Sequence, residues 1–413
     1  MHTHAHLLLH LGAATATLAT HVTLDRQCWI EHTIISSDYY TSKNGQEYIS
    51  PIPAYLQKQV EDYTPWSHAP ICTPKLPSIN DVLCIYTSTS FSNGRGISIF
   101  TTPPASKDFA ALPAFQNPSL LEARAINVPT NTSRATSIPN KGIGLLATKP
   151  LSFKDRITSH TPVFLAYLEG ELSTLDRENW WRRAIHQLPV KSREEFLALA
   201  YVFGDERVRV QDIVKANTFQ VEVGGVNHLA IFPETSRLNH ACNANAQYII
   251  DTELLSHTVH ATRPIEEGEE ITISYTSPLD PIAIRQQKLQ SGFHFTCTCP
   301  RCSSASSDDT LMNMKNLQDQ LNDWSPESEG SPKVAEKLLQ LYRDESLEGF
   351  MDVAYGFTAL AYSAAGDAAG ALKYAEMAKE AVLMKDGLWS ANLQIWEEML
   401  ADLKEHWSWR RRL

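Results

Sequence analysis

Three cysteines fall within six residues at Cys297-Thr298-Cys299-Pro300-Arg301-Cys302, and this run restricts the fold more than any other part of the chain. Disulfides between such near neighbours are strained, whereas thiolates at short spacing converge readily on a tetrahedral zinc ion. A closed structural zinc site needs four ligands, so one is missing locally. Cys242, in Asn239-His240-Ala241-Cys242, fits the vacancy. Four thiolates leave no open position for water or substrate, so such a metal would serve the fold, and the flap around it would need metal to form.

Cys242 belongs to a dense polar cluster with Arg237, Asn239, His240, Asn243 and Asn245. Strands are expected over Ala246–Asp251 and Thr258–Thr262. A charged turn, Glu266–Glu270, then leads into the alternating strand Ile271–Tyr275, with a tyrosine at its end. Upstream, Lys141-Gly142-Ile143-Gly144 opens a strand to Ala147, a turn covers Pro150–Asp155, and Ile157–Tyr167 reads as a further strand. Glycines here permit positive φ and close approach of backbone to a ligand. Each feature alone is weak: a strand-end tyrosine is ordinarily an amphipathic core residue, and a lone histidine is ordinarily a satisfied core or turn residue.

In this combination and order the motifs resemble SET-domain protein-lysine methyltransferases of the post-SET type. The likeness covers residues 139–302 and is closest to fungal-type proteins of the SET-and-MYND class, without the MYND zinc finger between 145 and 215. It implies an α+β fold: small SET-type β-sheets, a helical insert and a post-SET zinc flap, followed by a C-terminal helical domain. It implies S-adenosyl-L-methionine as cofactor, met by the Lys141, Gly142, Ile143 and Gly144 loop, by Asn239 and His240, and by Phe295 stacking on adenine. Asn217 would add a cofactor contact, and Phe219 would wall a substrate channel that ends at the catalytic Tyr275. The family also joins a cysteine in the place of Cys242 to three downstream ones, here Cys297, Cys299 and Cys302, on one structural zinc ion. Three positions depart from the pattern: Asn140 stands for a glycine, Ala244 for a proline, and Phe293 for a hydroxyl-bearing aromatic. Asparagine tolerates the left-handed conformation better than most residues, so the loop can survive at position 140.

The implied substrate is a protein with an exposed lysine, histone or non-histone, and the implied chemistry is in-line transfer to a deprotonated amine. A narrow aromatic channel would disfavour the ammonium form by desolvation. Two other readings are a catalytically weak SET fold used as a binding scaffold, and a SET fold recruited to small-molecule metabolism.

The flanks carry less information. Residues 1–120, rich in proline, read as an irregular extension with short strands. Val82–Ser90 and Ile97–Phe100 flank Asn93-Gly94-Arg95-Gly96, read as a hairpin turn rather than a rival cofactor loop. Residues 121–306 would form the SET and post-SET domain, with consecutive amphipathic helices in the insert at about 174–216 and Gly204 ending the second. Ser303–Asp309 reads as a connector. Residues 307–413 read as helical, with Ala354–Val382 resembling one tetratricopeptide-like hairpin and Trp407–Arg412 a solvated tail. A net charge of −11 argues against binding nucleic acid by overall field. No stretch reaches the ~20 apolar residues of a membrane span. A monomer is expected.

Residues 1–20 admit a secretory signal, against which stand the lack of a preceding Lys or Arg and the interruptions at His4, His6 and His10. In an oxidising compartment one pair among Cys28, Cys72 and Cys84 would bridge. A thiolate zinc site instead fits nucleus or cytoplasm.

Overall fold

Pro162 separates what the apolar run 157–167 suggests is a single strand. In the computed structural model, which describes residues 63–413, β6 (Arg156–His160) and β7 (Phe164–Tyr167) belong to different sheets. The break coincides with the division of the chain into two compact units. One holds residues 121–161 and 232–413, the other residues 63–120 and 162–231. The candidate signal segment and Cys28 lie outside the described residues.

The second unit is built on a six-stranded sheet. Its order is β1 (Ile71–Cys72), β2 (Cys84–Ser88), β3 (Ile97–Thr101), β7, β9 (Val226–Ile231) and β8 (Thr218–Val223). β2 and β3 form the expected hairpin, and Gly94 and Gly96 in its turn take positive φ. β3 then pairs in parallel with β7, Ser98 opposite Phe164. Residues 63–120 are therefore not a separate appendage, because their strands share a sheet and a core with 162–231. That core packs Trp181, Ile185 and Phe196 of the insert helices, with Ile213, against Phe100, Phe164 and Ile231. Cys72 and Cys84 face each other across β1 and β2 and form a disulfide.

The insert holds three helices: Thr174–His186, Val190–Leu197 and Arg209–Asn217. The second ends before Gly204, whose positive φ serves a turn instead. Buried Asp212 gathers the amides of Val202, Phe203 and Gly204 at 2.8, 2.8 and 2.9 Å, which satisfies a tight loop that periodicity alone extends as helix.

The first unit carries two small sheets and the C-terminal helices. One sheet runs β10 (Asn239–His240), β13 (Glu270–Ile273), β5 (Gly142–Ala147), β4 (Ser133–Ile138). The other runs β11 (Ala246–Asp251), β12 (Ser256–Ala261), β6. Small sheets, a helical insert and a helical C-terminal region make up the α+β class expected. The segment expected as a connector is partly helical, since Pro300–Ser303 and Ser307–Asn322 are helices with Ser307 fully buried. Met351–Ala364 and Ala368–Lys385 form the expected hairpin. Gly366 turns it with φ +75°, and Asp367 caps the second helix by accepting from the Gly370 amide at 3.0 Å.

The final residues are not a solvated tail. Trp407 and Trp409 pack on the helical core, and the Arg412 guanidinium lies 4.1 Å from the Trp324 ring centre. Arg412 also donates to the Leu321 carbonyl at 2.8 Å, so its charge serves as a cap rather than as a solvating group. Among the described residues, no helix is long and apolar enough to cross a membrane.

Candidate active site

β13 lies between β5 and β10, so its first residue reaches both neighbours. Glu270 accepts from Lys141 Nζ at 2.6 Å with one carboxylate oxygen and from Asn239 Nδ2 at 2.9 Å with the other. The glycine loop and the asparagine–histidine pair are thereby held to one carboxylate. Asn140 takes φ +60° and Gly142 φ +76°, so asparagine adopts the left-handed geometry expected of it. At Gly144 a Cβ would stand 2.6 Å from Asn239 Nδ2 and 2.7 Å from Ile138 Cγ1. Only glycine leaves Asn239 its place. Lys141, Gly142 and Ile143 are exposed, Ile143 at 46%, so the loop's outer face is open to a ligand.

His240 links this loop region to the tyrosine and to the thiols. Its backbone pairs with Ile273 of β13, and its Nδ1 accepts the Tyr275 amide at 2.9 Å. An accepting Nδ1 places the ring proton on Nε2, 3.2 Å from Cys242 Sγ, where it donates to sulfur. Tyr275 packs on His240 with ring centres 5.3 Å apart and on Phe293 at 4.8 Å, while Phe295 lies 6.0 Å from His240. The Tyr275 hydroxyl donates to the Leu238 carbonyl at 2.5 Å.

The four sulfurs of Cys242, Cys297, Cys299 and Cys302 lie within 4.8 Å of one another. A tetrahedral zinc site with bonds of about 2.3 Å sets its sulfurs about 3.8 Å apart, so the cluster fits a metal of that kind. Crowding and burial pull the four thiols apart in acidity. Cys242 is driven far up by hydrogen bonds to Cys297, Cys299 and Cys302 and then by burial. Cys299 is driven well down, chiefly by hydrogen bonds from Cys242 and Cys297. Cys302 falls to about 6, through Cys242 first and the Arg285 guanidinium after burial. For Cys297 the bond with Cys242 lowers its pKa, but the bond with Cys299 and burial outweigh it, leaving it pushed up to about 12. Four sulfurs this close cannot all ionise without a cation among them.

Residues that sequence reasoning did not single out hold this cluster. Arg285 is fully buried, 3.7 Å from Cys302 Sγ, and it donates to the Asp280 carbonyl at 2.7 Å. Burial alone would lower its pKa, but the pull of Cys242, Cys302 and Cys299 raises it. Gln286 grips the Cys297 backbone in both directions, at 2.8 and 2.9 Å. Arg301 pairs with Glu345 at 2.6 Å and donates to the Pro278 carbonyl at 2.7 Å. Glu270 was also missed. Only its place in a Gly-Glu-Glu turn could have signalled it.

Two expected site residues lie in the other unit. Asn217 donates to the Ala200 and Ile213 carbonyls, both at 2.7 Å, so its amide closes the end of its own helix and ties it to the preceding loop. Phe219 is fully buried on β8, opposite Ala230.

Residues 142–276 match the family model described as SET domain. More particularly, the chain is similar to the N-lysine methyltransferase SMYD2-B of Danio rerio, at 28% identity over 174 residues, 41% of this chain and 39% of that protein. It is likewise 28% identical over 169 residues to the human N-lysine methyltransferase SMYD2, covering 40% of this chain and 38% of the relative. The chain thus spans about two fifths of the length of these relatives.

Proposed function

We propose that this chain is an S-adenosyl-L-methionine-dependent protein-lysine N-methyltransferase whose four cysteines hold a structural zinc ion. The observation that carries the reading is the tie from Lys141 through Glu270 to Asn239, continued by His240 to Tyr275 and Cys242. Motifs far apart in sequence meet in one region.

The cofactor supplies an already electrophilic methyl group, so the protein's task is alignment and desolvation. Tyr275 spends its proton on Leu238, so its hydroxyl oxygen offers lone pairs. It can accept from an incoming amine N–H and so turn the nitrogen lone pair away from itself. A lysine amine, with a pKa of ~10.4 in water, must shed a proton first. The rings of Tyr275, Phe293 and Phe295 give it an apolar surface that disfavours the ammonium form. Asn239, fixed by Glu270, and the open loop at Lys141–Gly144 would hold the cofactor's polar end. Zinc on Cys242, Cys297, Cys299 and Cys302 would fix Phe293 and Phe295 beside Tyr275, and Arg285 would offset part of the thiolate charge.

The substrate we propose is an exposed lysine of a protein, histone or otherwise, and the protein acts as a monomer. The two cysteine sets favour opposite compartments. We assign nucleus or cytoplasm, because the four thiols tie separate segments together whereas the Cys72–Cys84 disulfide joins strands already paired. The test is calorimetric binding of S-adenosyl-L-methionine followed by transfer of labelled methyl to peptide and protein arrays. Absence of both binding and transfer in zinc-loaded protein overturns the reading.

A further inference from the structure

A cavity of about 490 Å³ lies within the first unit, lined on one side by Phe153 ahead of β6, Gln247 of β11 and the residues just after β12, and on the other by the C-terminal helical region. Its walls include Met351, Met377, Met384, Tyr355 and Phe153. Tyr275 and the cysteines are not among its lining residues.

Two polar groups in the lining lack partners. Thr262, 4% exposed, has no hydrogen-bond partner for Oγ1, and neither has the buried Oε2 of Glu348. A buried carboxylate oxygen with no donor is costly, and a bound donor would remove that cost. The other charges of the lining are engaged: Arg263 with Glu269 at 2.6 Å, Glu380 with Lys154 at 2.7 Å, and Arg343 with the Tyr355 hydroxyl. Gly349, next to Glu348, lies so close to the strand end that a Cβ there would meet Thr262 Cγ2 at 3.3 Å. This close approach brings the backbone beside Glu348 against the strand end that carries Thr262.

We propose that this cavity is a binding site for a small organic cation, a primary amine carried on an aromatic body. The amine would bridge Glu348 Oε2 and Thr262 Oγ1. The volume suits a small molecule, for which sites run from about 300 to 1,000 Å³. Thioethers of three methionines adapt to a flat ring and are favourable against it. A carboxylate prefers a charged donor to a neutral one, so selectivity lies in the charge. The proposal stands apart from methyl transfer and needs neither zinc nor cofactor.

The test uses the full zinc-loaded chain labelled with 13C at the methionine methyl groups. Tryptamine and phenethylamine are titrated beside the alcohols of the same shape, tryptophol and 2-phenylethanol. The expected result is saturable movement of the Met377 and Met384 resonances by the amines at millimolar concentration or below, with the alcohols at least tenfold weaker. Glu348→Gln should reduce that preference at least tenfold, and Ala381→Trp, which fills the cavity, should remove binding of all four compounds. Thr262→Val gives a second reading should Glu348→Gln fail to fold. The proposal is overturned by unmoved methionine signals with both amines, by equal affinity for amines and alcohols, by an unchanged preference in folded Glu348→Gln, or by undiminished amine affinity in folded Thr262→Val. S-adenosyl-L-methionine binding, measured on the same samples, reports on the methyltransferase reading separately.

Discussion

Tyr275 joins two roles that substitution can separate. Its amide anchors His240 and its hydroxyl donates to Leu238, and the hydroxyl is the group that would orient an acceptor amine. Tyr275→Phe keeps the ring packing and the amide. It should lower single-turnover methyl transfer about 100-fold, ~2.7 kcal/mol of barrier, while cofactor affinity stays within about threefold. Equal loss in both would show that the hydroxyl holds the site together rather than serving the transfer. Gly144 makes the complementary case. The Cβ of Gly144→Ala would displace Asn239 from Glu270, an overpacking of about 1–3 kcal/mol. Calorimetry should show weakened cofactor binding, and denaturant unfolding should show the lost stability.

At the level of elements, the C-terminal helices contain their own strain. Lys385 is buried against Asp352 at 2.6 Å, with Asp386 beside it at 4.0 Å. Burial pushes Asp386 up to about 6, against the attraction of Lys385 and with the repulsion of Asp352. A raised folded-state value means that the folded protein binds more protons between about 4 and 6. The contribution of Asp386 to stability is therefore greatest below the unfolded value and is lost as pH rises through 6. Asp386→Asn should stabilise the protein at pH 7.5 by on the order of 2 kcal/mol, with the gain shrinking toward pH 4.5 in paired denaturation curves. The last residues matter in the opposite sense. Arg412→Ala, which strips a cation from Trp324 and a cap from Leu321, should lower the melting temperature by a few degrees. A truly solvated tail would show no change. Local patterns found most elements here: alternation marked Ala246–Asp251 and Gly142–Ala147, and the Gly-Asp turn marked the final hairpin. Missed features depend on contacts that periodicity does not encode, such as Asp212 collecting three amides, or Trp407 finding a core to pack against.

The whole molecule separates chemistry that sequence order runs together. Short-spaced thiols and strand-end motifs were legible because each carries its signature within a few residues. The parallel pairing of β3 with β7 was not, since two strands so far apart in the chain share no local signal. The two units should therefore respond differently to loss of metal. All four cysteines of the cluster belong to the first unit, whereas the described cysteines of the second, Cys72 and Cys84, are joined to each other. Without a cation the four crowded sulfurs cannot all ionise, and loss of the proposed zinc would free the segment carrying Phe293 and Phe295. Chelation, or Cys299→Ser, should abolish the single bound zinc, expose residues 294–306 to protease and weaken cofactor binding at least tenfold. Hydrogen exchange should rise there and around His240, whose Nε2 loses its thiolate partner. The six-stranded sheet, with Trp181, Phe196 and Ile213 closing its core, should keep its protection. Retention of one zinc per chain in Cys299→Ser would refute the ligand set. Melting of both units together would show instead that the metal sustains the entire fold rather than the flap beside Tyr275.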